Sequence, residues 1–379
     1  MNIVIIGPVY PFKGGIAHYT GLLATSLQKE HYVEVLSFRL QYPRFLYKKE
    51  QKDFANDAFK FENTKYLLNT LNPFSFLKVA EYIKKQKPDL AIFEWWHPYF
   101  APSYWFILKR IKKHTKVIFT CHNVLPHEKF PLQKILTKAV LSKGDCIVHS
   151  ATDAQELKRL LPETVYKQAV IPTFCNFSRL NTLQKKDAHE ALQLTKTDKV
   201  LLFFGFIREY KGLKHLIQAM PDIVRQLPES KLLIVGDYFE DNKEEYIDLI
   251  SQCGVEEHVR IYDGYVPDSE VALYFAACDV VILPYESATQ SGIVQIAYGF
   301  NKPVIATRVG GLPDVVTDGK TGYLVPPGNS TAIADAVVRF FNDCKAGEFK
   351  ENIEAEAHRF SWKKLTKIVE ELAEDWSTV

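Results

Sequence analysis

The sequence contains no pair of cysteines spaced as C-x-x-C. Its six (Cys121, Cys146, Cys175, Cys253, Cys278 and Cys344) are scattered and match no zinc spacing. A disulfide framework and a zinc module are thereby excluded as organising principles. Several of these thiols sit in apolar runs, where cysteine behaves as a small buried hydrophobe, which indicates a reducing compartment. No uninterrupted apolar run approaches the ~20 residues of a membrane-spanning helix. The opening stretch MNIVIIGPVYPF lacks a positive leading region and a small-residue cleavage site, so it reads as a buried first strand and not as a secretion signal. The G-x-G-x-x-G spacing of a dinucleotide fingerprint is missing, as is any nucleic-acid recognition motif.

What is present is globular. At 379 residues, with 47% hydrophobic and 24% charged positions, the chain is longer than one core usually supports, and two domains are expected. The net charge of +2 conceals an asymmetry. Residues 1–172 carry 25 Lys/Arg against 14 Asp/Glu, or +11, which leaves 22 against 31, or −9, for residues 173–379. A basic half joined to an acidic half points to an anionic partner for the first.

Strand and helix patterns alternate along both halves. Asn2 to Ile6 reads as a strand, and Gly14-Gly15 then leads into a helical pattern, Ile16 to Gln28. That turn is either a place where backbone approaches a ligand closely or only a turn. Further strands are expected at Val33–Phe38, Leu90–Glu94, Val117–Thr120, Cys146–Val148 and Val170–Ile171, with residues 39–80 irregular. The second half restarts with Val200–Phe204, the loop Gly205-Phe206-Ile207-Arg208-Glu209-Tyr210-Lys211-Gly212 and a helix from Leu213 to Met220. Strands are expected at Lys231–Val235 and Val259–Ile261, and a helix at Asp268–Ala277. A last amphipathic helix, Trp362 to Trp376, has too few partners to stand alone.

The stretch Cys278 to Gly311 organises the second half. An apolar strand, Val280 to Leu283, ends at Pro284. Small polar residues Ser287 to Gly292 follow, then a helical run Ile293 to Tyr298 and a β-branched strand Pro303 to Thr307. A hydroxyl-rich loop entering a helix leaves backbone N–H groups unpaired at the positive end of the helix dipole, an arrangement suited to phosphate. The alternative is an ordinary helix cap in a parallel-sheet protein.

The segments GFIREYKGLKHLIQAM, VGD, YVPDSEVALYFAACDVVILPYESATQSG and NKPVIATRVGGLPDVVTDGKTGYLVPPGN, with PFKGGIAHYT and FTCHN in the first half, resemble the family 4 glycosyltransferases. That resemblance covers nearly the whole chain, loosely over residues 39–110. It implies the GT-B fold: two doubly wound Rossmann-like domains facing across a cleft. Residues 1–173 would form the acceptor-side domain and residues 174–360 the nucleotide-sugar domain, with the helix of 361–379 crossing back to the first. It also implies a retaining, metal-independent transfer with no cofactor beyond a UDP- or GDP-linked sugar donor.

The departing nucleoside diphosphate must be neutralised by fixed cations and N–H dipoles. Arg208 and Lys211 are the expected cations, Arg208 being displaced from the family's usual arginine position, which is Phe206 here. Thr289, Gln290, Ser291 and Gly292 would supply neutral donors, and Gly14 and Gly15 would close over the phosphates. Tyr265 and Val266 resemble the segment that contacts the base, and His122 the family's histidine near the donor sugar. Glu94 and His97 lie where acceptor contacts are expected, or serve the structure. The family's two glutamates for sugar and ribose hydroxyls align with Ala288 and Ile296, while Glu286 lies two residues upstream.

The Tyr42–Lys52 and Lys109–Lys116 runs are either solvated faces or, with Trp95, Trp96, Tyr99, Phe100, Tyr104, Trp105 and Phe106, a docking face for an anionic bilayer. A cytoplasmic enzyme, peripheral on the inner face of the membrane and acting on a glycan or lipid-linked acceptor in cell-surface polysaccharide synthesis, is the resulting expectation. The alternatives are a catalytically silent module of the same fold and a nucleotide-sugar epimerase or hydrolase.

Overall fold

The computed structural model describes residues 1–54, 57, 59–126, 130–174, 183–238 and 242–374. Cys175 and the last two residues of the expected C-terminal helix, Asp375 and Trp376, lie outside them. The chain divides into two compact units, Met1–Ile171 with Ser361–Val379, and Pro172–Phe360.

The first unit is built on seven parallel strands: β1 (Asn2–Ile6), β2 (Tyr32–Leu40), β3 (Thr64–Asn69), β4 (Leu90–Trp95), β5 (Lys116–Cys121), β6 (Asp145–Val148) and β7 (Tyr166–Gln168). Their order is β3-β2-β1-β4-β5-β6-β7. β1 pairs with both β2 and β4 and is buried from Ile3 to Ile6, which is why it reads as an unbroken apolar run. Strand order reverses between β1 and β4, so the crevice for a ligand opens at the carboxyl ends of those strands.

The second unit holds β8 (Lys199–Phe204), β9 (Ser230–Gly236), β10 (Val259–Asp263), β11 (Val280–Leu283), β12 (Val304–Thr307) and β13 (Gly322–Val325), ordered β10-β9-β8-β11-β12-β13. Its reversal falls between β8 and β11. Each unit is thus a doubly wound, Rossmann-like sheet with its own core of Val, Ile, Leu and Phe.

Three expectations are corrected. Residues 39–80 are not irregular throughout: they hold β3 and a helix, Pro73–Gln86, started by Asn72 accepting from Phe74 N at 3.0 Å and by Pro73 at the first turn. The last strand of the first sheet is β7, and Val170–Ile171 lie beyond it. The helix beginning at Leu213 does not stop before Pro221 but runs to Gln226. It is held by a buried apolar stripe, Leu213, Leu216, Ile217, Met220 and Ile223, that outweighs the lost N–H.

The C-terminal helix, Trp362–Glu374, belongs to the first unit. Leu365, Val369 and Leu372 form its buried stripe at helical spacing. Trp362 packs on Tyr19 at 5.2 Å between ring centroids, and Glu370 meets His31 at 2.8 Å. The chain therefore leaves the second unit at Phe360 and returns to the first, as the resemblance implies.

Candidate active site

In the second unit the loop after β8 and the loop after β11 lie side by side. Gly212 sits in the left-handed region (φ 63°), and a Cβ there would come within 2.1 Å of the Pro284 carbonyl oxygen. Glu286 N donates to Tyr210 O at 2.8 Å. These contacts bring Lys211 beneath the start of the helix Gly292–Gly299. A Cβ at Gly205 would stand 3.2 Å from Lys211 Nζ and 3.3 Å from Ile293 Cδ1, so the ammonium and a side chain from the first turn of that helix meet at this glycine. The Tyr285 ring lies 5.8 Å from the same ammonium.

Lys211 is only 8% exposed. Burial, reinforced by the nearby Arg208 guanidinium, pulls its pKa down to about 7. Among the described residues no carboxylate pairs with it. A buried cation without a carboxylate is poised for an anion, because a bound phosphate both supplies the missing charge and restores the protonated form. Ser291 caps the helix, its Oγ accepting from Ile293 N at 3.3 Å and lying 3.3 Å from Tyr285 Oη. Thr289 is buried, and its carbonyl accepts from Gly311 N at 2.9 Å. Gly310 (φ 50°) sits so close beneath this loop that a Cβ there would fall 1.4 Å from the Ala288 carbonyl oxygen. Ala288 and Ile296, at the glutamate positions, are both buried.

Glu286 does not reach this cluster as a spare carboxylate. Lys214 (2.9 Å) and His215 (2.8 Å) hold it on the flank, and the Lys214 hydrogen bond, then that from His215, keeps its carboxyl below the usual range. Tyr265 and Val266 are half-buried after β10, just ahead of the helix Asp268–Ala277.

In the first unit, Gly14 (φ 104°) starts the helix Gly15–Leu27, and a Cβ at either glycine of the turn would touch nothing within 4 Å. The surface there is bare backbone, as close ligand approach requires. Glu94 near the end of β4 is fully buried and so meets no acceptor directly. Its Oε2 lies 2.6 Å from Nε2 of His122, which follows β5. His97 has a structural role, its Nδ1 accepting from Tyr99 N at 3.1 Å. Sequence reading passed over His149 and Tyr19, which surround His122 at ring distances of 5.9 Å and, for Tyr19, 4.7 Å. A signal was available, since His149 directly follows β6 as His122 directly follows β5.

The seven aromatics expected to face a bilayer are mostly core: Trp95, Phe100 and Tyr104 are buried, and Trp105 is the exposed one. Exposed apolar side chains beside basic residues include Phe45 and Leu46, flanked by Arg44 and Lys48, as well as Ile135 next to Lys134 and Trp105 under Lys109. No described helix is long and apolar enough to cross a membrane.

Two doubly wound units, each reversing strand order at its centre and carrying its conspicuous groups at the strands' carboxyl ends, define a protein of the GT-B type. The family description Glycosyltransferase Family 4 matches residues 13–179, and Glycosyl transferases group 1 matches residues 184–359. Together they take in most of the chain, which belongs to the group 1 glycosyltransferases. The chain is 26% identical over 224 residues to the D-inositol 3-phosphate glycosyltransferase of Corynebacterium diphtheriae, a match covering 57% of this chain and 52% of that protein. The chain thus spans about half the length of that relative. It is 25% identical over 350 residues to the N-acetyl-alpha-D-glucosaminyl L-malate synthase of Bacillus anthracis, covering 88% and 86% of the two chains. The Anabaena protein HepE, solved in complex with UDP, superimposes with a TM-score of 0.73 at 19% identity over 100% of both chains, a likeness of fold.

Proposed function

We propose that this protein is a retaining hexosyltransferase that moves a sugar from a UDP- or GDP-linked donor to a glycan or lipid-linked acceptor in cell-surface polysaccharide synthesis. The observation that carries the reading is the buried Lys211 ammonium meeting Ile293, in the first turn of helix Gly292–Gly299, at Gly205 and beside Arg208. As the bond from the anomeric carbon to the phosphate oxygen breaks, charge grows on the β-phosphate. The Lys211 ammonium, the Arg208 guanidinium and the N–H groups at Thr289 to Gly292 meet it. Fixed protein cations fill the part a divalent ion plays elsewhere, so the reaction proceeds without a metal. The acceptor oxygen bonds to the anomeric carbon on the face the phosphate leaves, and its proton passes to a phosphate oxygen. No protein base is needed. The likeness to HepE, which was solved in complex with UDP, supports the donor class.

Exposed Phe45 and Leu46 among Arg44 and Lys48, on a half-chain of +11, support peripheral contact with an anionic membrane surface from the cytoplasmic side. The test is incubation with UDP- and GDP-sugars, following nucleotide release with acceptor extracts. Donor-dependent release of UDP or GDP supports the reading, and failure to bind any of these nucleotides overturns it. Ala288 and Ile296 in place of the glutamate pair favour a second reading, a silent module of the same fold. Nucleotide affinity without turnover over broad acceptors would establish that one, and product without acceptor would mark an epimerase or hydrolase.

A further inference from the structure

Beneath His122 lies a group of polar side chains that the charge-neutralising chemistry does not use. Glu94, on β4, is fully buried, and its only described side-chain partner is His122 Nε2 at 2.6 Å; Oε1 bonds nothing among the described residues. The space it occupies is provided by Gly7 at the end of β1, where a Cβ would come within 2.6 Å of Glu94 Cγ. Tyr104 Oη donates to the Glu94 carbonyl oxygen at 3.2 Å and fixes that stretch of strand. Tyr19 lies edge-on to His122 at 4.7 Å and to His149 at 5.3 Å. His149 Nδ1 lies 2.7 Å from the Ala169 carbonyl oxygen, which only accepts, so Nδ1 carries the proton. The bare Nε2 of His149 is buried and bonds nothing among the described residues.

No Lys or Arg side chain is hydrogen-bonded or ion-paired to this group among the described residues. An ionised Glu94 opposite a neutral imidazole would be an isolated buried charge, which costs several kcal/mol. Two arrangements avoid it: a carboxylic acid donating to Nε2, or a carboxylate paired with an imidazolium. Both carry a proton on Nδ1. We propose that Glu94 is a positioning residue that holds His122 with Nδ1 protonated, so that the ring offers the sugar donor an N–H and never a lone pair. Burial favours the first arrangement. It raises Glu94 well above the usual carboxylate range and holds both His122 and His149 down at about 3. His122 is then a hydrogen-bond donor to an oxygen of the bound sugar nucleotide, and it is unable to act as a general base. This rests on the reading of His122 as a contact of the donor. It explains why a carboxylate-class side chain is buried at a place where no acceptor can touch it.

The experiment is nitrogen NMR of the full chain with labelled histidine, the His122 signals being identified by their loss in His122→Ala. The expected result is a protonated Nδ1 and an unprotonated Nε2 for His122, unchanged between pH 6 and 8 and retained in Glu94→Gln, whose amide N–H donates in the same place. Transfer activity should stay within a few-fold in Glu94→Gln and fall about tenfold or more in Glu94→Ala, by analogy with the loss of a carboxylate that orients a metal-bound histidine. A wild-type His122 protonated at Nε2 with Nδ1 bare overturns the proposal. Should Glu94→Ala fail to fold, the wild-type and Glu94→Gln spectra still decide. Full activity in His122→Ala would instead remove the donor-contact reading and leave the tautomer result standing.

Discussion

Lys211 is where the charge argument becomes measurable. A lysine held at about 7 is half-protonated at neutral pH, and an incoming pyrophosphate favours the charged form. Donor binding above pH 7 should therefore take up a proton, and affinity should fall as pH rises from 7 to 9. Calorimetry in buffers of different ionisation enthalpy reads this directly, and no proton uptake at pH 8 would contradict the site. For stability the sign is opposite. Between pH 7 and the ordinary lysine range the unfolded chain binds more protons than the folded one, so this group's cost to folding is relieved as pH rises. Lys211→Ala and Arg208→Ala should each weaken transfer by about 2–4 kcal/mol in kcat/KM, roughly 30- to 1000-fold. Equal rates for both variants and the parent would take them out of the chemistry. Sequence showed these two residues as loop cations. It could not show that one is buried without a carboxylate, because burial depends on Tyr285 and Ile293, which arrive from another strand-loop-helix unit.

At the scale of the element, the loop from Pro284 to Gly292 owes its course to what lies beneath it. Gly310→Ala should lower stability by about 2 kcal/mol or more, since its Cβ would overlap the Ala288 carbonyl and its φ of 50° disfavours any side chain. Thermal unfolding checks the first effect, and a weaker nucleotide affinity the displacement of the Thr289–Ser291 turn. This loop and helix were legible in sequence, from Pro284, the small polar residues and the apolar run after them. Glu286 was legible only as a residue. Its capture by Lys214 and His215 is a product of the helix Leu213–Gln226 packing alongside. The C-terminal helix carries its own test. Leu372→Ala should cost about 2–5 kcal/mol in denaturant unfolding, because the side chain is fully buried against the first unit. A surface-like loss of a few tenths would mean that the helix does not dock.

Across the whole molecule, the difference between +11 in residues 1–172 and −9 in the remainder is a statement about partners. Co-sedimentation should show binding to vesicles containing anionic lipid, weakening as salt shortens the electrostatic range, and absent for neutral vesicles. Phe45→Glu with Leu46→Glu should reduce that binding while leaving nucleotide affinity intact. Undiminished binding would move the contact elsewhere, towards Trp105 and the Lys109–Lys116 run. The tryptophans and tyrosines that look along the chain like an interfacial belt are largely the filling between helices and the first sheet.

The alternation of strands and helices, the two cores and the strand-loop-helix units can be read along the chain. These follow from short-range patterns: β-branched apolar runs, Gly and Pro punctuation, and the periodicity of buried faces. Which charges are buried, which aromatics are exposed and the placing of the Glu94 carboxyl against His122 emerge only once the chain has folded. Each of those is fixed by neighbours distant in sequence, through close contacts such as Gly7 on Glu94 and Gly205 on Lys211, and a linear pattern carries no record of them.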